Sequence, residues 1–168
     1  MKNFLRILPV LMVDGKVLKL TWKAHASVID AAYNALPTDM KKNLDKAAME
    51  DGSNDPDQIF HDYVNHHYPA SYKKAQFYLD KGKKDYKNKK YKKASKNFGI
   101  ASHYITDNFS APHCVSKESD DDHHDYEVQA EDLQPIAIYI PGKNLKTIME
   151  EGYQNGADSW KSWKESKK

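Results

Sequence analysis

The sequence predicts an all-α protein, because apolar residues follow a helical period along most of the chain and few segments look like strands. Apolar residues recur at three- and four-residue steps from Trp22 to Leu36, with Thr21 in place as an N-cap. The same pattern predicts helices over residues 39–50, 58–67, 70–81, 84–110, 121–133 and 143–165. Residues 51–57, rich in Gly, Asn, Asp and Pro, are expected to form a loop, and only residues 136–140 resemble an internal strand. A multi-helix bundle is therefore expected.

The N-terminal residues 1–20 are expected to be an extension of a helical domain that spans residues 21–168. Lys2 and Arg6 precede a short apolar run, but early charges interrupt it and no small-residue cleavage site follows, so no clear signal peptide is predicted. Two strands over residues 5–13 and 16–20, joined by an Asp-Gly turn, form the expected hairpin. No apolar segment reaches the length of a membrane-spanning helix.

Length, charge and cysteine content limit the classes of protein to which the chain can belong. A chain of 168 residues suits one domain, and 26 basic against 24 acidic residues give no general argument for a nucleic-acid or membrane partner. The lysine-rich residues 81–96 are expected to be a solvated helix face with Tyr86 and Tyr91 turned inward; a phosphate-attracting surface is the alternative. Cys114 is the only cysteine, which excludes a disulfide framework and a thiolate zinc site.

The most informative segment runs from His103 to Glu127. His103 and Asp107 are four residues apart, as are His123 and Glu127, so each pair falls on one face of a helix. Pro112 is expected to end the first helix and to place His113 on a turn beside the same pocket. Imidazole and carboxylate groups are the usual zinc donors when thiolates are absent, so this spacing predicts a zinc site.

Several motifs together resemble the zinc-dependent phospholipases C, which include the clostridial alpha-toxins and share a fold with fungal single-strand nucleases. GIASHYITDNFSAPHC is similar to the signature of the family's long helix. HHDYE is similar to the His-x-x-x-Glu pair that follows it in the family. GSNDPD, NHHYP and WKAHASVIDAAYNAL resemble the remaining ligand segments, in the family's order. The resemblance covers Trp22 to Glu127 and implies an all-helical fold around two to three Zn²⁺ ions.

The resemblance also implies a ligand set. One zinc would be held by Asp57, His66, His103 and Asp107, a second by His113, His123 and Glu127, and a third by His25 and a bridging Asp107. His67 is the alternative to His66 as the ligand of the first zinc. In the family, the mature chain begins with a Trp that completes the third site, whereas Trp22 is internal here. Either cleavage before Trp22 creates that ligand, or the third site is incomplete, or Trp22 packs in the core.

Clustered zinc favours hydrolysis of a phosphoester by activated water, and the sequence contains no motif for covalent catalysis. Asp57 is the expected general base, because a carboxylate near two metals can also accept a proton. GSNDPD resembles the loop of the phospholipase branch, which favours a phospholipid substrate and leaves peripheral membrane contact open. A single-strand nuclease or nucleotidase, for which nucleic acid is a substrate only, is one alternative.

A non-catalytic helical zinc protein is another alternative, and an open position at the second zinc would argue against it. The aspartates at positions 120–122 could fill that position, although capping of the next helix is the expected role. Tyr63 and Tyr68 could line a substrate pocket or simply pack. The resemblance favours an extracellular or cell-surface protein.

Overall fold

A computed structural model describes residues 9–11, 22–130, 135, 137–139 and 144–167. Within these residues most of the chain is helical, which confirms the all-α prediction. The helices are α1 (Trp22–Ala35), α2 (Thr38–Lys41), α3 (Lys46–Gln58), α4 (Ala70–Lys87), α5 (Tyr91–Asp107), a 3₁₀ helix (Ala111–Cys114), α6 (Asp120–Ala130) and α7 (Leu145–Ser166). None of the described helices is long and apolar enough to span a membrane.

Helix α5 is the centre of the bundle, with every residue from 99 to 108 buried. Ile100, Tyr104 and Ile105 of α5 share an apolar core with residues of α4 and α7. A smaller cluster joins Tyr126 of α6 to Trp160 of α7, so α7 is the packing helix that its aromatic residues suggest. Burial of both sides of α5 fixes the position of the polar residues near its C-terminal end.

Helices α3 and α5 approach each other closely through glycine. A Cβ atom at Gly99 would lie 2.0 Å from the carbonyl oxygen of Met49, and one at Gly52 would lie 2.2 Å from the carbonyl oxygen of Lys96. Real side chains do not tolerate such distances, so the two backbones meet only because these positions lack a Cβ atom. This contact brings the end of α3 against the end of α5.

The expected loop over residues 51–57 and helix over residues 58–67 are both wrong. The first segment is the second half of α3, which Asp45 caps by accepting a hydrogen bond from the Ala48 N–H at 3.0 Å. The helix ends where the N–H groups of Ile59 and Phe60 both donate to the Asp55 carbonyl. The following residues are irregular until α4 begins at Ala70.

Two other helical boundaries also differ from expectation. The expected helix over residues 39–50 is divided into the short α2 and the start of α3. The long helix over residues 84–110 is divided at a turn where Lys89 adopts a φ of 59° and the Lys90 N–H donates to the Asp85 carbonyl. Close by, the rings of Tyr86 and Tyr91 pack with centroids 5.0 Å apart, while most lysines of this segment are exposed, as expected.

Two short strands form the only described sheet. β1 (Pro9–Leu11) pairs antiparallel with β2 (Ala137–Tyr139), in the register Pro9 to Tyr139. The expected internal strand is therefore present, but its partner comes from the N-terminal segment. The turn and the second strand of the expected hairpin lie outside the described residues, as does the expected domain boundary at residues 20 and 21. That boundary stays a prediction.

Candidate metal centre

Helix α5 supplies the two most deeply buried polar residues of the site. His103 and Asp107 lie one helical turn apart, and His103 Nε2 is 3.1 Å from Asp107 Oδ2. His103 Nδ1 donates to the Ser53 carbonyl at 2.7 Å, a contact that the close approach of α3 makes available. Since a carbonyl oxygen only accepts, Nδ1 carries a proton, and Nε2 is the ring nitrogen that remains for a metal. A histidine that binds a metal through one ring nitrogen is usually held in orientation by a hydrogen bond from its other ring nitrogen.

His25 reaches the same carboxylate from α1. Its Nε2 lies 3.4 Å from Asp107 Oδ1, and its ring stacks on His103 with centroids 4.1 Å apart. The Thr106 hydroxyl donates to the His103 carbonyl, so its oxygen is left to accept from His25 Nδ1 at 3.1 Å. The proton is again on Nδ1, and the lone pair of Nε2 faces Asp107.

His66 and not His67 faces the centre. His66 is buried, and its Nδ1 lies 2.6 Å from Asp107 Oδ2. His67 turns away and donates from Nδ1 to the His113 carbonyl at 2.9 Å. The two adjacent histidines therefore have different surroundings, and His66 is the better candidate for a ligand of the first zinc.

Asp57, near the end of α3, closes the cluster from the side of the solvent. Its Oδ1 atom lies 3.5 Å from His103 Nε2 and 3.6 Å from His66 Nε2. The Asp57 side chain is 33% exposed, whereas that of His66 is 8% exposed and those of His103 and Asp107 are almost fully buried. Asp57 is thus the member of this group that is open to water and substrate.

The structure brings together only part of the second predicted ligand set, His113, His123 and Glu127. The rings of His113 and His123 lie with centroids 5.0 Å apart, and His113 is 5.7 Å from His66. His123 Nδ1 lies 3.6 Å from Glu118 Oε1, a carboxylate that the sequence motifs do not single out. Glu127 is on α6, but its side chain lies outside the described part of the structure. Its role as a ligand stays a prediction, as do those of His113 and His123.

The charges of the cluster explain the protonation of its members. Burial alone would raise the pKa of Asp107, but His103 and His25 outweigh it and hold that pKa well below its ordinary value. Burial alone would lower the pKa of His66, but Asp107 and Asp57 outweigh it and raise the pKa to about 9. Burial lowers the pKa of His113 to about 3. The carboxylate of Asp107 is therefore ionised at the middle of a cluster of imidazoles.

Unsatisfied polar atoms show that this cluster fits a metal. Asp107 Oδ2, His66 Nε2, His103 Nε2 and His113 Nδ1 are buried and make no hydrogen bond. Asp107 Oδ2 belongs to this set although it lies 2.6 Å from His66 Nδ1 and 3.1 Å from His103 Nε2. Buried polar atoms are nearly always satisfied, so several orphans in one place call for an ion.

Two groups of the described side chains have donor atoms within 4.8 Å of one another. One group is His25, Asp57 and His103, and the other is His66, His103 and Asp107. Nitrogen and oxygen donors in this combination suit Zn²⁺. His103 belongs to both groups, so the two groups overlap in one centre.

The supporting residues were missed by the sequence interpretation. Ser53 acts through its backbone carbonyl, and nothing in a side-chain motif signals that role. Asp62 holds the segment that carries His66, because it accepts hydrogen bonds from Tyr104 Oη at 2.7 Å and Asn65 Nδ2 at 2.6 Å and pairs with Lys74 at 2.8 Å. Such long-range partners become visible only once the fold is known.

A polar cavity of about 420 Å³ opens next to the second predicted set. The cavity is lined by His67, Tyr68, Tyr153 and residues 115–118. The bond from His67 to the His113 carbonyl and the contact of Glu118 with His123 place the cavity beside those histidines. Its volume lies within the range typical of small-molecule sites.

Comparison with known proteins agrees with this chemistry. The family model for zinc-dependent phospholipase C matches residues 24–166 of the chain, which includes every residue of the candidate metal centre. No curated protein and no solved structure gives a significant match. The match extends over most of the chain, well beyond the ligand motifs. The chain therefore belongs to the zinc-dependent phospholipase C family.

Proposed function

We propose that this chain is a zinc-dependent phosphodiester hydrolase that cleaves phospholipids in the manner of a phospholipase C. Water would add to phosphorus and the bond from phosphorus to the glycerol oxygen would break, giving a diacylglycerol and a phosphorylated headgroup. The observation that carries the proposal is the set of unsatisfied buried atoms around Asp107, in a chain that belongs to this family. Family membership also favours a site of action outside the cell or at its surface.

The residues that would hold zinc are those that the sequence predicted. Asp57, His66, His103 and Asp107 would bind the first ion, and His25 and Asp107 would contribute to another. His113, His123 and Glu127 would bind the remaining one. Bound Zn²⁺ supplies Lewis-acid chemistry, since it acidifies water and stabilises negative charge on phosphoryl oxygens.

Asp57 would accept the proton of the attacking water. Burial raises the pKa of its carboxyl, and an anion that is easier to protonate is a better base. Its partial exposure supports the same role, because the base must reach both water and substrate. Asp57→Asn keeps the shape and an oxygen donor but removes the basic carboxylate. We expect hydrolysis to fall by at least about a hundredfold, the usual contribution of general base catalysis.

The control for this variant is its zinc content, measured by elemental mass spectrometry on the same preparation. A variant with wild-type zinc content and a large loss of turnover would support the base. A variant that keeps both its zinc and its activity would show that the base lies elsewhere.

The cavity beside His113 is our candidate for the headgroup pocket. Lys117 and Glu118 at its wall offer charges of both signs, which suits a phosphate linked to an amino alcohol. Tyr68, one of two tyrosines that the sequence suggested for a pocket, lines it, whereas Tyr63 lies on the surface.

The first test combines zinc content with turnover. Protein purified without affinity tags or added metal would be assayed on a monomeric short-chain phosphatidylcholine, with single-stranded DNA in parallel, before and after chelation. Chelator-sensitive release of the phosphorylated headgroup would support the proposal. Cleavage of DNA alone would move the function to the nuclease branch, and stoichiometric zinc without turnover on either substrate would support a structural role.

A further inference from the structure

Exposed apolar side chains are concentrated on two segments next to the metal centre. The first segment is the apolar loop, residues 59–64, which carries Ile59, Phe60, Tyr63 and Val64; the second is the part of α4 around Phe77. These five side chains are between 42% and 81% exposed. Large apolar side chains gathered on one region of a soluble surface usually mark a place of interaction.

Aromatic contacts join the two segments. The ring of Phe60 stacks on Tyr78 with centroids 6.2 Å apart, and Phe77 meets the same ring edge-on at 5.1 Å. Tyr78 in turn stacks on Tyr104, whose ring lies against His66. Phe60 of the apolar loop and Phe77 both contact Tyr78, so the loop lies against α4 next to Phe77, and aromatic packing connects this region to His66.

The apolar loop is held in a fixed position at the opening of the site. It begins two residues after Asp57 and ends two residues before His66. His61 donates from Nδ1 to the Asp57 carbonyl at 3.0 Å, and Asp62 is fixed by Lys74 and Tyr104. The loop thus presents its apolar side chains to solvent from an anchored backbone, beside the most exposed residue of the first ligand group.

Exposed lysines lie near Phe77 on α4, where the exposed Asp80 pairs with Lys83. Lys73 and Lys81 lie one helical turn before and after Phe77 on α4, and Lys84 lies two turns after it, all three exposed. Lys81 Nζ is 5.9 Å from the ring centroid of Phe77 and 5.4 Å from that of Tyr78. An apolar centre bordered by lysines is complementary to a bilayer, which offers acyl chains below a layer of phosphate groups.

We propose that the apolar loop and Phe77, with Lys73, Lys81 and Lys84, form the surface by which this protein docks on a phospholipid bilayer. The proposal rests on the proposed function, because a hydrolase of bilayer phospholipids must bring its site to the headgroup layer. Phe77, Ile59 and Val64 enter the boundary between headgroups and acyl chains, while the lysines contact anionic headgroups. Docking in this orientation places Asp57 next to the bilayer surface.

The test is binding to vesicles, measured by flotation, with and without phosphatidylserine in a phosphatidylcholine bilayer. The apolar variant carries Ile59→Ser, Val64→Ser and Phe77→Ser, and the charge variant carries Lys73→Gln and Lys81→Gln. All five positions are exposed, so the fold is expected to tolerate these changes. Val128→Ser on α6, an exposed apolar residue away from both segments in the sequence, is the matched control, with Lys161→Gln for the charge variant.

We expect the apolar variant to bind both kinds of vesicle at least about tenfold more weakly, because burial of apolar area drives interfacial binding. The charge variant should lose only the gain that phosphatidylserine gives, and that gain should disappear at high salt. Wild-type binding by the apolar variant, or an equal loss in Val128→Ser, would overturn the proposal. The proposal would also be overturned if sedimentation showed that the wild type is a dimer and the apolar variant is a monomer, because the surface would then be the contact between two copies of the chain.

Turnover separates this proposal from the proposed function. The apolar variant should hydrolyse monomeric short-chain phosphatidylcholine at the wild-type rate and vesicle phosphatidylcholine at least about tenfold more slowly. Vesicle binding that depends on the apolar loop, in a protein that hydrolyses neither substrate, would support docking and contradict the hydrolase. If the apolar variant hydrolysed both substrates at the wild-type rate, the result would support the hydrolase and contradict docking through this surface.

Discussion

Replacement of Gly99 by alanine is a direct test of how the fold builds the metal centre. The new Cβ atom would lie 2.0 Å from the carbonyl oxygen of Met49, while ordinary contacts begin at 3.4 Å. The atom in the way belongs to the backbone of α3 and cannot rotate aside. Helices α3 and α5 would therefore have to move apart by more than an ångström.

The expected cost follows from two opposing effects. Alanine favours a helix over glycine by about 1 kcal/mol, whereas overpacking a tight contact costs about 1–3 kcal/mol or more. Because the clash is with backbone, we expect the second effect to win and Gly99→Ala to destabilise the fold by about 2 kcal/mol. With a urea dependence of about 1–3 kcal/mol per molar, the unfolding midpoint should fall by about 1 M.

Urea unfolding in the presence of a chelator is the right assay, because it removes the contribution of bound metal to stability. Gly82→Ala is the matched control. Its Cβ atom would meet the ring of Phe98, a partly exposed side chain that can move, so the midpoint should change much less. An unfolding midpoint for Gly99→Ala at or above that of the wild type would refute the close approach of α3 and α5.

The same substitution should also affect zinc. His103 lies one turn after Gly99, and its bond to the Ser53 carbonyl crosses the contact between α3 and α5. Separation of the two helices would stretch that bond and release the orientation of the imidazole. Loss of such a partner typically costs about 10–100-fold in metal affinity, so zinc titration should show a weaker first site.

Two further predictions concern the segment between α3 and α4. His66→Ala should lose zinc, whereas His67→Ala should keep wild-type zinc content by elemental analysis; the reverse result would make His67 the ligand. Asp62→Asn should weaken the fold at neutral pH, because Lys74 and Tyr104 hold the pKa of Asp62 below its ordinary value of 3.8 although burial opposes them. When folding lowers the pKa of a carboxyl group, its ionisation stabilises the folded state fully at any pH above the unfolded-state pKa. This contribution is lost as the pH falls through the folded-state pKa. The urea midpoints of wild type and Asp62→Asn, both with chelator, should therefore differ at pH 7 and begin to converge as the pH falls below about 4, the unfolded-state pKa of the carboxyl group; a constant difference would contradict this.

Much of the metal centre could be predicted because helical spacing converts directly into geometry. His103 and Asp107, four residues apart, are one turn apart in the structure, and their partners come from motifs in the expected order. The choice between His66 and His67 had no such support, since neither lies on a helix. Only the distances to Asp107 distinguish them.

Helix boundaries failed where distant contacts outweigh local preference. Residues 51–57 have the composition of a turn, yet they remain helical because Gly52 allows the backbone of α5 to pack directly on α3. The break at Asn88 contains neither Gly nor Pro, and its weaker signal, an asparagine after lysines in the last turn of a helix, was missed. The pairing of residues 9–11 with 137–139 joins segments far apart in sequence, and no local pattern specifies such a partner.

The failed helix over residues 58–67 carries a different lesson. Its apolar residues suggest a buried helical face, but Ile59, Phe60 and Val64 are exposed on an irregular loop. Burying them would require this segment to turn inward, and the bonds of Asp62 to Lys74 and Tyr104 hold it where it is. Places where a sequence departs from the rules of packing are often functional, and the cost of exposing apolar surface needs a compensating gain. In the proposed docking, a bilayer beside the metal centre would supply that gain, because it would cover these side chains at the moment when the substrate enters.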